Sequence, residues 1–251
     1  MKLSQTLPAR LRASAIHFGL SLVVFLILLG VIVCIWYPGA LFWIDGGMTG
    51  VQILIAVDLV LGPLLTLIIY NPTKTRRHIM IDFMFIAAIQ ISALVWGVNT
   101  IYEQKPQAIV FDGAAFQIMD NDYLQRQESD VVSLNESGAT LPLVLYSRKP
   151  ETADEVADVM LHLFNNSIPE WAVVALLEPV DRHLPALKIE SAKVKRQYQK
   201  NTSVMARYQK IVTENGAADH ELLLLSLSGR FGEALVVLDQ NGSLVGSFTL
   251  D

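Results

Sequence analysis

Three apolar runs crowd the first hundred residues: AIHFGLSLVVFLILLGVIVCIWY (15–37), VQILIAVDLVLGPLLTLIIY (51–70) and IMIDFMFIAAIQISALVWGVN (79–99). A helix needs about 20 apolar residues to cross a hydrocarbon core of roughly 30 Å, and each run meets that length. One run alone would also suit a buried helix of a soluble protein. Three in succession, joined by short connectors, point to three membrane spans. The first is longer than the roughly 7–15 apolar residues of a cleaved signal peptide and no small-x-small cleavage site follows, so it reads as a retained signal anchor.

Basic residues set the orientation, because Lys and Arg flanking spans stay on the cytoplasmic side. Lys2, Arg10 and Arg12 precede the first run, and Lys74, Arg76 and Arg77 lie between the second and third. The connector PGALFWIDGGMTG, residues 38–50, has none. Residues 1–14 are therefore expected to be cytoplasmic, with 38–50 and everything after residue 100 on the outer side. Trp36, Tyr37, Phe42 and Trp43 fall where an outer interfacial belt would lie.

Charge divides the same way. Residues 1–100 carry six Lys/Arg and three Asp/Glu, a net of +3, and residues 101–251 carry thirteen and twenty-one, a net of −8. An acidic outer domain argues against nucleic acid as a partner, since phosphate contacts need a basic face. The single cysteine, Cys34, sits in the first span, so the outer domain cannot form an internal disulfide.

Polar residues inside the spans are the candidate site. A carboxylate near the bilayer centre costs about 2.5–3.5 kcal/mol on insertion scales, so it is expected to face protein or water and to have a partner. Asp58 lies about 4 Å outward of the centre of span two at 1.5 Å per residue. Gln90 lies near the centre of span three, within reach if those faces meet. Nearer the cytoplasm, His17, Thr66 and Asp82 share a depth, and a His17–Asp82 pair beside Thr66 would tie the three helices together. Gly62-Pro63 is expected to kink span two and free a carbonyl near residue 59. These groups suit either a proton or ion path or interhelical hydrogen bonds that fix the packing. Three helices without an inverted repeat are few for a path, which favours packing.

The outer half reads as one α+β domain joined through IYEQKP (101–106). AIVFDGAAFQIM (108–119) has the Asp112-Gly113 signal of a hairpin, and LPLVLYS (141–147) reads as a strand. PETADEVADVMLHLFN (150–165) reads as a helix, with Pro150 and Glu151 in its first turn and Val156, Val159, Met160 and Leu163 as its apolar stripe. Residues 189–212 are basic and helical in parts, with Lys193, Lys195, Arg196 and Lys200 expected on a solvated face. ELLLLSLS (221–228) and ALVVLDQNGSLVGSFTL (234–250) give three strands, two of them joined by a tight turn at Asp239–Gly242. The five histidines form no HExxH or Cys-His set, and no GxSxG, P-loop or GxGxxG occurs. No catalytic residue, cofactor or metal is expected.

GVNTIYEQKPQAIVF, VDLVLGPLLTL, IHFGLSLVVFLILLGVIVCIWYPG and the terminal GRFGEALVVLDQNGSLVGSFTLD together resemble the TfpX/TfpZ family of type IV pilin accessory proteins. The resemblance spans the chain, is strongest through residue 111, and has DLVLGPLLT as its most specific piece. It implies an inner-membrane protein that promotes assembly of a cognate major type IV pilin and is itself neither pilin nor motor ATPase. Its partners would be that pilin, membrane lipid and the pilus assembly machinery. The expected fold is then a three-helix transmembrane bundle (15–37, 51–70, 79–99) followed by a periplasmic α+β domain (101–251). An envelope enzyme acting on pilin or glycan and a membrane-anchored ligand sensor are the alternatives. The short cytoplasmic segments weigh against the sensor.

Overall fold

The computed structural model describes residues 3–129 and 142–250, so Lys2 and Leu141 lie outside the described residues. The chain divides into two compact units, Met1–Trp36 with Gly47–Tyr102, and Tyr37–Gly46 with Glu103–Asp251.

The first unit is helical. Helix α1 (Leu3–Val31) runs on as a π-helical turn, Ile32–Trp36. After α2 (Leu41–Ile44), which belongs to the second unit, comes α3 (Gly47–Leu54), a π-helical segment Ile55–Leu61, and α4 (Gly62–Ile69). Helix α5 covers Arg76–Glu103. Three stretches are long and apolar enough to cross a membrane: Thr6–Trp36, Gly47–Ile69 and Arg76–Glu103. Their large apolar side chains, such as Leu20, Ile27, Met84 and Trp96, are exposed, while Ser21, Asp58 and Thr66 are buried. That inversion suits helices solvated by lipid, where polar groups turn inward to find partners.

Pro63 shapes the middle of the second span. In the π-helical register the Gly62 N–H donates to the Val57 carbonyl, five residues back. The next amide in that register would serve Asp58, but it belongs to Pro63, which has no N–H. The orphaned carbonyl is therefore that of Asp58, one residue from the expected position, and Gln90 Nε2 stands 3.4 Å from it.

The second unit is an α+β domain on one mixed sheet. Its strands are β1 (Pro106–Phe111), β2 (Phe116–Asp120), β3 (Leu143–Ser147), β4 (Leu177–Pro179), β5 (Leu223–Ser228), β6 (Glu233–Leu238) and β7 (Leu244–Thr249). Their spatial order is β4-β3-β1-β2-β5-β6-β7. β1 is parallel to β3 and β2 to β5; the other neighbours are antiparallel. The β1–β2 hairpin turns as expected at Asp112-Gly113, where the Asp112 carboxylate accepts from the Ala114 and Ala115 amides and Gly113 takes a φ of 104°. Ala108 to Phe111 are all buried, the mark of a strand covered on both faces.

Two cores lie along one face of this sheet, since the register sets Ala108 beside Met119, Gln117 beside Ser228 and Leu224 beside Val237. One joins Ala108, Val110, Met119, Leu145, Ile168 and Leu176; the other joins Val194, Val204, Tyr208, Leu224, Leu235 and Val237. The helices are α6 (Asn121–Arg126), α7 (Ala153–Asn166), α8 (Leu184–Tyr198) and α9 (Thr202–Glu214). The basic stretch 189–212 is thus split, and Asn201 caps the second helix by accepting from the Val204 amide. Lys193, Arg196 and Lys200 are exposed as expected. Lys195 is not: its ammonium donates to the Asp219 and Leu222 carbonyls and lies 4.8 Å from the Tyr208 ring centroid.

Two further expectations need correction. Helix α7 begins at Ala153 behind a Thr152–Glu155 capping box, which leaves Pro150 and Glu151 outside it. Of its apolar stripe only Val159 is buried; Val156, Met160 and Leu163 are exposed. Tyr37 and Phe42, read as interfacial, are buried in the second unit, and only Trp43 beside them is exposed. The segment 37–46 packs there because Phe231 N donates to Ile44 O at 2.8 Å, Ala40 N donates to Ser247 Oγ at 2.9 Å, and Gly229 has its Cα against Ile44 with no room for a Cβ.

Candidate functional site

Three helices of the first unit contribute to one polar cluster. On α1, Ser14, His17 and Ser21 recur at three- to four-residue spacing and so share a face. His17 Nδ1 lies 2.5 Å from Thr66 Oγ1 of α4, and His17 Nε2 lies 2.7 Å from Gln90 Oε1 of α5. The Gln90 amide nitrogen reaches Ser21 Oγ at 3.1 Å and Asp58 Oδ1 at 3.4 Å. Ser14 donates to the Pro63 carbonyl at 2.8 Å.

The donors and acceptors form a consistent sequence. A carboxamide oxygen only accepts, so His17 Nε2 carries a hydrogen. In a neutral imidazole Nδ1 then accepts, and Thr66 donates to it. Polarity runs from Thr66 through His17 and Gln90 to Asp58. Asp58 is 3% exposed, and its Oδ2 has no hydrogen-bond partner among the described residues. Gly62 leaves room for the Gln90 carboxamide, since a Cβ there would sit 2.6 Å from Gln90 Nε2 and force that side chain to shift.

Of the residues singled out from the sequence, His17, Asp58, Gly62, Pro63, Thr66 and Gln90 gather here. Asp82 does not. Its carboxylate pairs with Lys74 Nζ at 2.5 Å, and the expected His17–Asp82 pair is absent. Helix α5 begins at Arg76, three residues before the apolar run, and α1 begins twelve residues before its own. Depths counted from the run ends therefore misplace both helices, and Gln90, about 12 Å along the axis from Asp82, meets His17 instead. Ser14 and Ser21 went unflagged, although their spacing with His17 marked a polar face.

The second unit holds a charged cluster. Arg230, between β5 and β6, places Nε 3.0 Å from Asp45 Oδ1 and Nη1 3.3 Å from Asp120 Oδ2, and it donates to the Gln104 carbonyl at 3.1 Å. Burial pushes the Asp45 carboxyl above its usual range, against the hydrogen bonds and charge of Arg230. Burial raises Asp120 too, against the same guanidinium and the Tyr123 and Asp122 amides that it accepts as the N-cap of α6.

Residues 5–39, which include Ser14, His17 and Ser21, match the family model described as fimbrial assembly protein FimB. A fimbrial assembly protein of Dichelobacter nodosus, serogroups C1 and C2, is 39% identical over 108 residues, 43% of this chain and 82% of that protein. The chain belongs to the FimB family of fimbrial assembly proteins. Two longer members from the same organism also match. The serogroup E1 protein is 40% identical over 108 residues and the serogroup I protein 41% over 101 residues. These two alignments span 42% and 39% of the relatives' respective lengths, and 43% and 40% of this chain. No solved structure matches the chain.

Proposed function

We propose that this FimB-family chain is a membrane-embedded accessory protein that assists assembly of a cognate fimbrial subunit, the major type IV pilin of the TfpX/TfpZ reading. It sits in the inner membrane with its N-terminus cytoplasmic and its α+β domain in the periplasm. The observation that carries this is the 39% identity over most of a curated fimbrial assembly protein. Three apolar helices and the basic flanks of the first and third support the membrane placement.

Its role is assembly and not catalysis. A fimbrial subunit held in the bilayer would offer an apolar helix and an outer head. A partner with a helical bundle and a folded domain can touch both, and two weak contacts on one molecule give avidity without tight binding at either. The His17–Gln90–Asp58 cluster then serves as the staple that keeps the bundle in one packing, each interhelical hydrogen bond contributing about 0.6–2 kcal/mol.

Deleting the gene and counting surface fimbriae against total subunit tests the proposal. Loss of fimbriae with subunit still present is expected, and normal fimbriation would overturn it. Reporter fusions at residue 250 test the placement: activity of a periplasmic reporter is expected, and a cytoplasmic signal overturns it.

A further inference from the structure

Helix α7 is fastened by polar groups and presents its apolar side outward. At its start Glu155 accepts from Arg148 Nη2 at 2.6 Å and Nη1 at 3.1 Å, and from the Glu151 amide at 2.7 Å. At its end Asn166 Nδ2 donates to the Arg126 carbonyl at 2.9 Å, and the Ile168 amide closes on the His162 carbonyl behind Ser167, whose φ is 55°. The side facing the domain is Glu155, Val159, His162 and Asn166, the four α7 residues that are not exposed.

What remains is an apolar arc. Val156, Met160 and Leu163 follow the three- and four-residue spacing of a helix-pairing seam, with Phe164 and Leu161 beside them. Phe164 is 80% exposed. A soluble helix ordinarily turns such a stripe to its own core, and contiguous exposed apolar patches mark interaction sites. Because the helix is fixed at both ends, presenting the stripe costs little further ordering on binding.

Charge selects the occupant. By helical position Asp154 and Asp158 border the arc next to Leu161, and α7 has no Lys or Arg at all. A helix that lies on a lipid surface carries basic residues on its polar face, which this one lacks. A second copy would bring two such acidic helices together. We infer that the α7 stripe docks a helix of the fimbrial subunit, one with apolar residues at the same spacing and Lys or Arg along its flank. This rests on the assembly role proposed above and supplies its site on the outer domain.

The test uses the full chain in fimbriated cells, with a photoreactive residue at Leu163, an exposed member of the same stripe, and antibodies to the subunit and to the chain. A subunit adduct is expected, absent when the photoreactive residue is at Lys193. Met160→Glu with Phe164→Glu should lower that adduct by about tenfold or more, the order set by losing a buried apolar anchor, and fimbriation with it, while chain abundance holds. Asp154→Lys with Asp158→Lys, which leaves the stripe intact, should lower the adduct as well. Adducts only to lipid or to a second copy, or full fimbriation by the Glu double variant, would overturn the inference. The deletion phenotype is measured separately, so the stripe can fail while the assembly role stands.

Discussion

Arg230 closes on Asp45 across 185 residues of sequence, with its Nε 3.0 Å from the Oδ1 of a carboxylate that is 1% exposed. Removing one partner of a buried pair leaves an uncompensated charge, and breaking such pairs costs about 3–5 kcal/mol. Arg230→Ala should therefore destabilise the second unit by about 3 kcal/mol, toward the low end because the guanidinium is partly solvated. Asp45→Asn added to Arg230→Ala should recover part of that loss. Thermal unfolding in detergent, followed for all four members of the cycle, measures it.

In the bundle, Gly62→Ala would push a methyl into Gln90. Overpacking of this kind costs about 1–3 kcal/mol. Gly62→Ala is expected to lower the steady-state amount of the chain, and its cost should be smaller in a Gln90→Ser background, where the clash is gone although the hydrogen bonds of Gln90 are lost with it. Losses that simply add in the double variant would show that the two residues are not in contact.

Asp58→Leu removes the acceptor at the end of the hydrogen-bond sequence, and Gln90→Leu removes the hub. Gln90→Leu should be the more damaging, because it strands His17, Ser21 and the Asp58 carbonyl together. Its cost should be about 1–3 kcal/mol from several weak interhelical bonds, read as a lower unfolding midpoint and reduced subunit assembly.

Arg148 and the Glu151 amide hold the Glu155 carboxyl down from 4.5 to about 2. A carboxyl lowered on folding stabilises fully above its unfolded value, and that contribution is lost as the pH falls through the folded one. The anchoring of α7 should thus persist down to about pH 4.5 and weaken toward pH 2. Amide hydrogen exchange across Ala153–Asn166 against pH is the measurement, and Glu155→Gln should flatten the profile.

Two neighbouring lysines should behave differently. Lys193→Met changes an exposed side chain and is expected to shift stability by less than about 0.5 kcal/mol. Lys195→Met removes the donor to two carbonyls and the cation over Tyr208, at a cost of about 1–2 kcal/mol. Chemical denaturation of the two variants separates them.

Span number, the hairpins at Asp112-Gly113 and Asp239–Gly242, and most strands were legible because local pattern determines them. β4 was not, being three residues long and ending on Pro179. The stripe on α7 was read correctly as a stripe, but periodicity says where apolar residues lie and not which side packs. Glu155 and Arg148 settled that, through contacts between α7 and the end of β3. Within the bundle, six of seven flagged residues converge since buried polar groups in lipid must find one another. Asp82 escaped because Lys74 reaches it from the preceding loop. The docking of residues 37–46 depends on Arg230, Phe231 and Ser247, and no local signal points that far along a chain.

That long-range docking has a consequence for biosynthesis. The Ala40 amide and Asp45 carboxylate leave the ribosome 207 and 185 residues before their partners Ser247 and Arg230. At about 5–20 residues per second the wait is roughly 10–40 s. Until then the segment 37–46 lacks those partners, so a copy truncated before Arg230 leaves uncovered Ala40 and Asp45, which the finished fold buries, at a place far from the break.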